Sequence, residues 1–138
     1  MGKRKHQRAE ELKEQRKNTY YSKLTNYPSS PRKMRLVADL IKGQKVESAL
    51  NILTYTPQAA AEPLKKLLIT AIASWEQKNE DTNITESDLF VKNVIVDQSK
   101  TLKRIQPRAQ GRAFRIRKRS SHVTIYLDTI KTEESKQN

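Results

Sequence analysis

The chain has 138 residues and carries 28 Lys+Arg against 15 Asp+Glu, a formal net charge of +13, with hydrophobic residues at 35%. That apolar share is below the roughly 45–50% of ordinary soluble domains, so it supports one small core with part of the chain outside it, and the surplus charge calls for an anionic partner. The absence of cysteine excludes a disulfide scaffold, a thiolate zinc site and a cysteine nucleophile, and no apolar run reaches the roughly 20 residues of a membrane span.

Residues 1–17 are basic but lack the hydrophobic stretch of a secretion signal, so a soluble cytoplasmic protein is expected. Charge is unevenly distributed. Residues 1–33 hold ten Lys+Arg and three Asp+Glu, residues 34–91 six and eight, and residues 92–131 eleven and two. The near-neutral middle reads as the globular part, and the flanks as surfaces that meet a polyanion.

In chain order, residues 1–28 read as a basic N-terminal arm, disordered alone or partly helical, because almost nothing before residue 27 offers itself for burial. Tyr27-Pro28-Ser29-Ser30-Pro31 punctuates its end, with a serine to cap and Pro31 suited to a first helical turn. Met34, Val37, Leu40 and Ile41 then recur at helical spacing, and Gly43 reads as the residue after the helix end. A second short helix carries Val46, Ala49, Leu50 and Leu53 on one face and stops near Thr56-Pro57. A third, over residues 58–78, has Ala60, Leu64, Leu67, Leu68, Ala71, Ile72 and Trp75 on its apolar stripe. Beyond a polar loop at residues 76–88 the period changes from 3.6 to 2, predicting strands at residues 90–97 and 123–128. Val123, Ile125 and Leu127 should face the helices, and Thr124, Tyr126 and Asp128 should face out. The expected organisation is a single α+β domain over residues 29–128, followed by a polar tail at residues 129–138.

Residues 99–119 contain nine basic residues and no acidic one. The few apolar side chains among them, Leu102, Ile105, Ala109, Ala113, Phe114 and Ile116, cannot form a core. Such a segment is either disordered or leaves the body as a hairpin held by a partner, and the flanking strands favour a long protruding hairpin at about residues 98–122, with strands of roughly 40 Å and a bend at Pro107 and Gly111. Guanidinium groups bind phosphate oxygens in pairs, stack on bases and stay charged at any physiological pH, so nucleic acid is the fitting partner. No glycine-rich phosphate loop, metal-ligand cluster or nucleophile with its base stands out. No catalytic residue, cofactor or metal is therefore expected; His6, Asp97 and Asp128 read as ordinary surface or strand-end residues.

Four stretches, in order, resemble the bacterial large-subunit ribosomal protein L-twenty-two family across residues 30–128. They are Ser30-Pro31-Arg32-Lys33-Met34-Arg35-Leu36-Val37-Ala38-Asp39-Leu40-Ile41-Lys42-Gly43; Ala49-Leu50-Asn51-Ile52-Leu53; Leu102-Lys103-Arg104-Ile105 with Pro107-Arg108-Ala109-Gln110-Gly111-Arg112-Ala113; and Arg117-Lys118-Arg119-Ser120-Ser121-His122-Val123-Thr124. The resemblance implies three helices packed on a small three-stranded antiparallel sheet with a long basic β-hairpin. It further implies a structural constituent of the large ribosomal subunit that is not an enzyme. Such a protein binds 23S rRNA, supports subunit assembly, and lines the nascent polypeptide exit tunnel with its hairpin tip.

By the same resemblance Arg32, Lys33, Arg35 and Lys42 face rRNA from the first helix and its end, as do Arg115, Lys118, Arg119 and His122 from the returning strand. Lys100 and Arg117 join them from the basic run, and Lys3, Arg4 and Lys5 from the charge of the arm. Lys103 and Arg104 correspond to the basic pair at the tunnel constriction, and Arg108, Gly111 and Arg112 to the tip. Gln110 stands where a Lys or Arg is common, and Gln98-Ser99-Lys100 stands where the family usually has Glu-Gly-Pro. The expected partners are 23S rRNA, neighbouring large-subunit proteins and the nascent polypeptide, with no membrane and no homo-oligomer.

Overall fold

The computed structural model describes residues 3–17, 19–79 and 88–129. Residues 80–87, in the predicted polar loop, and residues 130–138 of the tail lie outside the described residues. The fold is α+β. Helix α1 (Lys3–Lys17) is followed by strand β1 (Tyr20–Tyr27), then by α2 (Pro31–Ile41), α3 (Val46–Tyr55) and α4 (Ala61–Glu76), and last by strands β2 (Leu89–Pro107) and β3 (Ala113–Thr129). The three strands form one antiparallel sheet in the order β1-β3-β2.

The periodicities explain the packing. Met34, Val37, Ala38 and Ile41 of α2, Val46, Ala49 and Leu53 of α3, and Leu64, Leu67, Leu68, Ala71, Ile72 and Trp75 of α4 are buried together. On the sheet, Val123, Ile125 and Leu127 of β3 close this core from below, as period-2 alternation predicts, with Leu89, Val91 and Val96 from β2. Pro31 occupies the first position of α2, where its missing N–H costs nothing, and Gly43 takes a φ of +78° just after the helix. The exposed edge of β2 is covered twice. Gly43 N–H donates to Val91 O at 2.8 Å and Val91 N–H to Gln44 O at 2.9 Å, while Arg35 Nη2 donates to Val96 O at 2.9 Å. Edges protected in this way do not template further strand pairing.

Two features depart from the sequence reading. The described residues hold four α-helices rather than three, because residues 3–17 form α1; no residue of that helix is buried, and Thr19 Oγ1 donates to Gln15 O at its C-terminal end. The third strand comes from residues read as part of the arm. In β1 the residues opposite Leu127, Ile125 and Val123 are Tyr20, Ser22 and Leu24. Only one of those three is aliphatic, so the strand carries a weak hydrophobic signal. Its burial is nonetheless real: Ser22 is buried, and the Tyr20 ring meets Trp75 edge-on at 6.4 Å.

Leu68 has no exposed surface, so Leu68→Ala should lower unfolding free energy by about 2–5 kcal/mol, measured by urea denaturation. Ser121 is also fully buried on β3, and its hydroxyl finds no partner among the described residues. Ser121→Ala removes a desolvated unpaired group and should raise stability by about 1 kcal/mol in the same assay.

Candidate nucleic-acid interface

Strand β3 runs unbroken from the core into the hairpin, and its odd-numbered residues stay on the helix side throughout. Within the body those positions are Leu127, Ile125, Val123 and Ser121. Past Ser121 they become Arg119, Arg117 and Arg115. Every residue from 102 to 119 is exposed, so this stretch of the hairpin receives no cover from the body. The ladder continues through the pairs Thr101 with Arg119, Lys103 with Arg117, Ile105 with Arg115 and Pro107 with Ala113. Paired residues point to the same face, so one face gathers Lys103, Arg115, Arg117 and Arg119. The other holds Leu102 beside Lys118, Arg104 beside Ile116 and Gln106 beside Phe114.

Lys103 directly opposes Arg117, and like charges in that position destabilise a ladder. Among the described residues no carboxylate pairs with any cation between residues 99 and 119. The Lys–carboxylate pairs sit on the body instead: Lys45 with Asp88 and Lys66 with Glu62, each at 2.7 Å, and Lys92 with Asp128 at 2.6 Å. In the first, hydrogen bonding and charge from Asp88 raise the Lys45 pKa; in the second, the same two effects lower that of Glu62 and raise that of Lys66. The hairpin cations thus remain available to an external anion.

The outgoing strand keeps its course through Gln98-Ser99-Lys100 by means of a bulge. Gln98 pairs with Ser121 and Thr101 with Arg119, so two residues, Ser99 and Lys100, oppose Ser120 alone. Ser99 Oγ donates to Asn26 Oδ1, which ties the bulge to the end of β1. At the tip Pro107 ends β2, residues Ala109–Gly111 form one 3₁₀ turn closed by Arg112 N–H donating to Ala109 O at 3.3 Å, and Arg108 N–H donates to Arg112 O at 2.8 Å across the loop. Gly111 adopts φ +67°, as the bend requires, and Gln110 also takes a left-handed φ of +59°. The Arg108 guanidinium lies 5.4 Å from the Phe114 ring centre, a cation–π contact that stiffens the tip.

The structure brings Lys100, Lys103, Arg104, Arg108, Gln110, Gly111, Arg112, Arg115, Arg117, Lys118 and Arg119 onto this one hairpin. His122 sits at its base, where Nδ1 accepts from Asn26 N–H at 3.0 Å. The other predicted residues lie on separate elements. Arg32 and Lys33 are exposed on α2, and Lys42 follows it. Arg35 spends its guanidinium on Val96 O, so it has a structural task in the body. Lys3, Arg4 and Lys5 form the first turn of α1. Sequence reasoning missed a cleft where Lys13, Arg16 and Lys17 of α1 meet Lys78 around Tyr20; Lys78 Nζ lies 5.1 Å from that ring centre. It also passed over Tyr21, which contacts Tyr126 on the open face of the sheet.

A small α+β body whose central strand continues into a polycationic hairpin defines a body-and-extension protein built to meet a polyanion. The sequence matches the family described as Ribosomal protein L22p/L17e over residues 22–128, and the chain belongs to that family of ribosomal proteins. Among similar relatives, the "Large ribosomal subunit protein uL22" of Flavobacterium johnsoniae is 55% identical over 135 residues, covering 98% of each chain. The proteins of the same name from Christiangramia forsetii and Porphyromonas gingivalis are 53% and 51% identical over 135 residues, covering 98% of this chain and all of theirs. The family match begins inside β1, whereas these relatives also align with α1.

Exchanging Lys103 for glutamate turns the Lys103–Arg117 repulsion into a cross-strand attraction worth about 0.2–1 kcal/mol. Lys103→Glu should therefore slow amide hydrogen exchange along residues 101–119 of the isolated protein, read by NMR.

Proposed function

We propose that this ribosomal protein is a structural constituent of the large subunit, whose hairpin penetrates and binds 23S rRNA, supports subunit assembly and brings its tip to the nascent polypeptide exit tunnel. The observation that carries the reading is the hairpin itself: nine cations over residues 99–119 with no carboxylate partner among the described residues, held on a ladder that leaves the body. Such an element is self-repelling until phosphates surround it. Family membership and the name shared by its relatives supply the class of particle.

The division of labour follows from position. The near-neutral body rests on the rRNA surface through exposed Arg32, Lys33 and Lys42, with Arg35 serving the β2 edge. Lys100, Arg115, Arg117, Lys118 and Arg119 neutralise phosphates along the hairpin, with His122 at its base. Lys3, Arg4 and Lys5 add a separate contact from α1. Lys103, Arg104, Arg108, Gln110, Gly111 and Arg112 form the part nearest the tunnel, where the left-handed pair Gln110 and Gly111 sets how sharply the tip turns. The nascent chain and neighbouring large-subunit proteins complete the set of partners, and no catalytic step or cofactor enters.

Sedimentation of a cell lysate through a high-salt sucrose gradient should retain the protein at one copy per large subunit, because salt strips loosely held ionic binders but not a buried hairpin. Release to the top of the gradient would refute the reading. Substitutions at Lys103, Arg104, Arg108 and Arg112 should alter passage of arresting peptides or macrolide sensitivity while leaving incorporation intact. Unchanged behaviour in ribosomes carrying the variants would remove these residues from the tunnel.

A further inference from the structure

Among the described residues, the face of the sheet turned away from α2, α3 and α4 is left open by the body's own packing. On β3 it consists of the even-numbered residues, and the same parity runs on into the hairpin. Across the three strands the rows read Tyr21, Tyr126 and Asn93, then Lys23, Thr124 and Ile95, then His122 and Asp97. Farther out, the face continues through Leu102 and Lys118, Arg104 and Ile116, and Gln106 and Phe114. One surface about 40 Å long thus carries aromatic and aliphatic side chains interleaved with cations.

At the body end the Tyr21 and Tyr126 rings lie 5.9 Å apart with planes 34° off parallel. Tyr21 is 53% exposed and Ile95 38%. Beside Tyr126 a cleft of about 490 Å³ is bordered by Lys42, Lys92, Asn93 and Ile95. Two carboxylates belong to the face: Asp128 is held by Lys92, and Asp97 stands opposite His122. Lys23, Lys42, Lys92, Lys118 and Arg104 outnumber them. This excess of cations favours a polyanion over an ordinary protein surface, and exposed rings among the cations favour one whose bases are free to stack.

We infer that the helix-free face of the sheet is a stacking platform for unpaired RNA bases, with Tyr21 and Tyr126 as its rings and Lys23, Arg104 and Lys118 meeting the phosphates that lead toward the hairpin. The inference rests on the reading that the protein binds rRNA. It separates two modes of contact: the helix-side arginine row holds phosphates alone, while the open face also reads the flat surfaces of bases.

The test is titration of the full-length protein with a 23S rRNA transcript of its own species across a series of salt concentrations. The double variant Y21L/Y126L should bind about 5- to 150-fold more weakly for each base unstacked, with an unchanged salt slope. Y21F/Y126F, which keeps the rings, should bind like the parent. R115Q/R117Q/R119Q should instead lower the salt slope by about 2–3. Should Y21L/Y126L fail to give a native melting curve, Tyr21→Leu alone, on the edge strand, carries the same expectation. Parental affinity in the leucine variants would overturn the platform, as would an equal loss in the phenylalanine pair. So would leucine variants that bind RNA normally but yield large subunits lacking a neighbouring protein, since the face would then be a protein interface. Failure of the parent protein itself to bind the transcript would refute the rRNA reading underneath.

Discussion

Everything in this molecule depends on one strand that keeps its alternation while its chemistry changes. β3 is the central strand of the body, and its odd-numbered side chains lie under the helices from Leu127 to Ser121. Beyond Ser121 the helices end, and the same positions become arginine. Because side chains repeat every second residue, a slip of one position would turn Thr124, Tyr126 and Asp128 under the helices and expose Val123, Ile125 and Leu127 at once. The register that builds the body therefore also aims the cationic face of the hairpin.

The cost of that arrangement is electrostatic. A two-stranded ribbon with Lys103 facing Arg117, and with no acid between residues 99 and 119, gains little stability of its own. Anchoring compensates at the base, where the Ser99 and His122 side chains are joined to Asn26 and where the bulge lets β2 hold its pairing. The body can afford such an extension because its own charge is nearly balanced and its core is closed on one side of the sheet only. A fold that covered both faces would be sturdier but would leave no open face beside the hairpin base.

Much of this was legible in the sequence. Three helical stripes, two strands, the hairpin and its bend at Pro107 and Gly111 follow from spacing, β-branching and the absence of acid, and the α+β class follows from them. The hairpin cations were legible for the same reason, since a run that cannot be buried declares itself. β1 was not, because Tyr20, Ser22 and Leu24 become inward-facing only once β3 lies beside them. Helix α1 was only half visible: its residues are compatible with a helix, but none has a core contact that would demand one. The structural task of Arg35 was hidden too, because a carbonyl on β2 61 residues away in sequence receives its guanidinium.

The sequence by itself determined which segments could be buried, where the chain must bend, and that the basic run of residues 99–119 could not join the core, because periodicity and charge are local properties of the chain. Tertiary structure alone decided which residues share a face. It set Arg115, Arg117 and Arg119 with Lys103, placed Tyr21 against Tyr126, and used Arg35 to close an edge. Pairing register and sheet order are long-range choices, made by the fit of strands and helices around one core, and no window of neighbouring residues contains them.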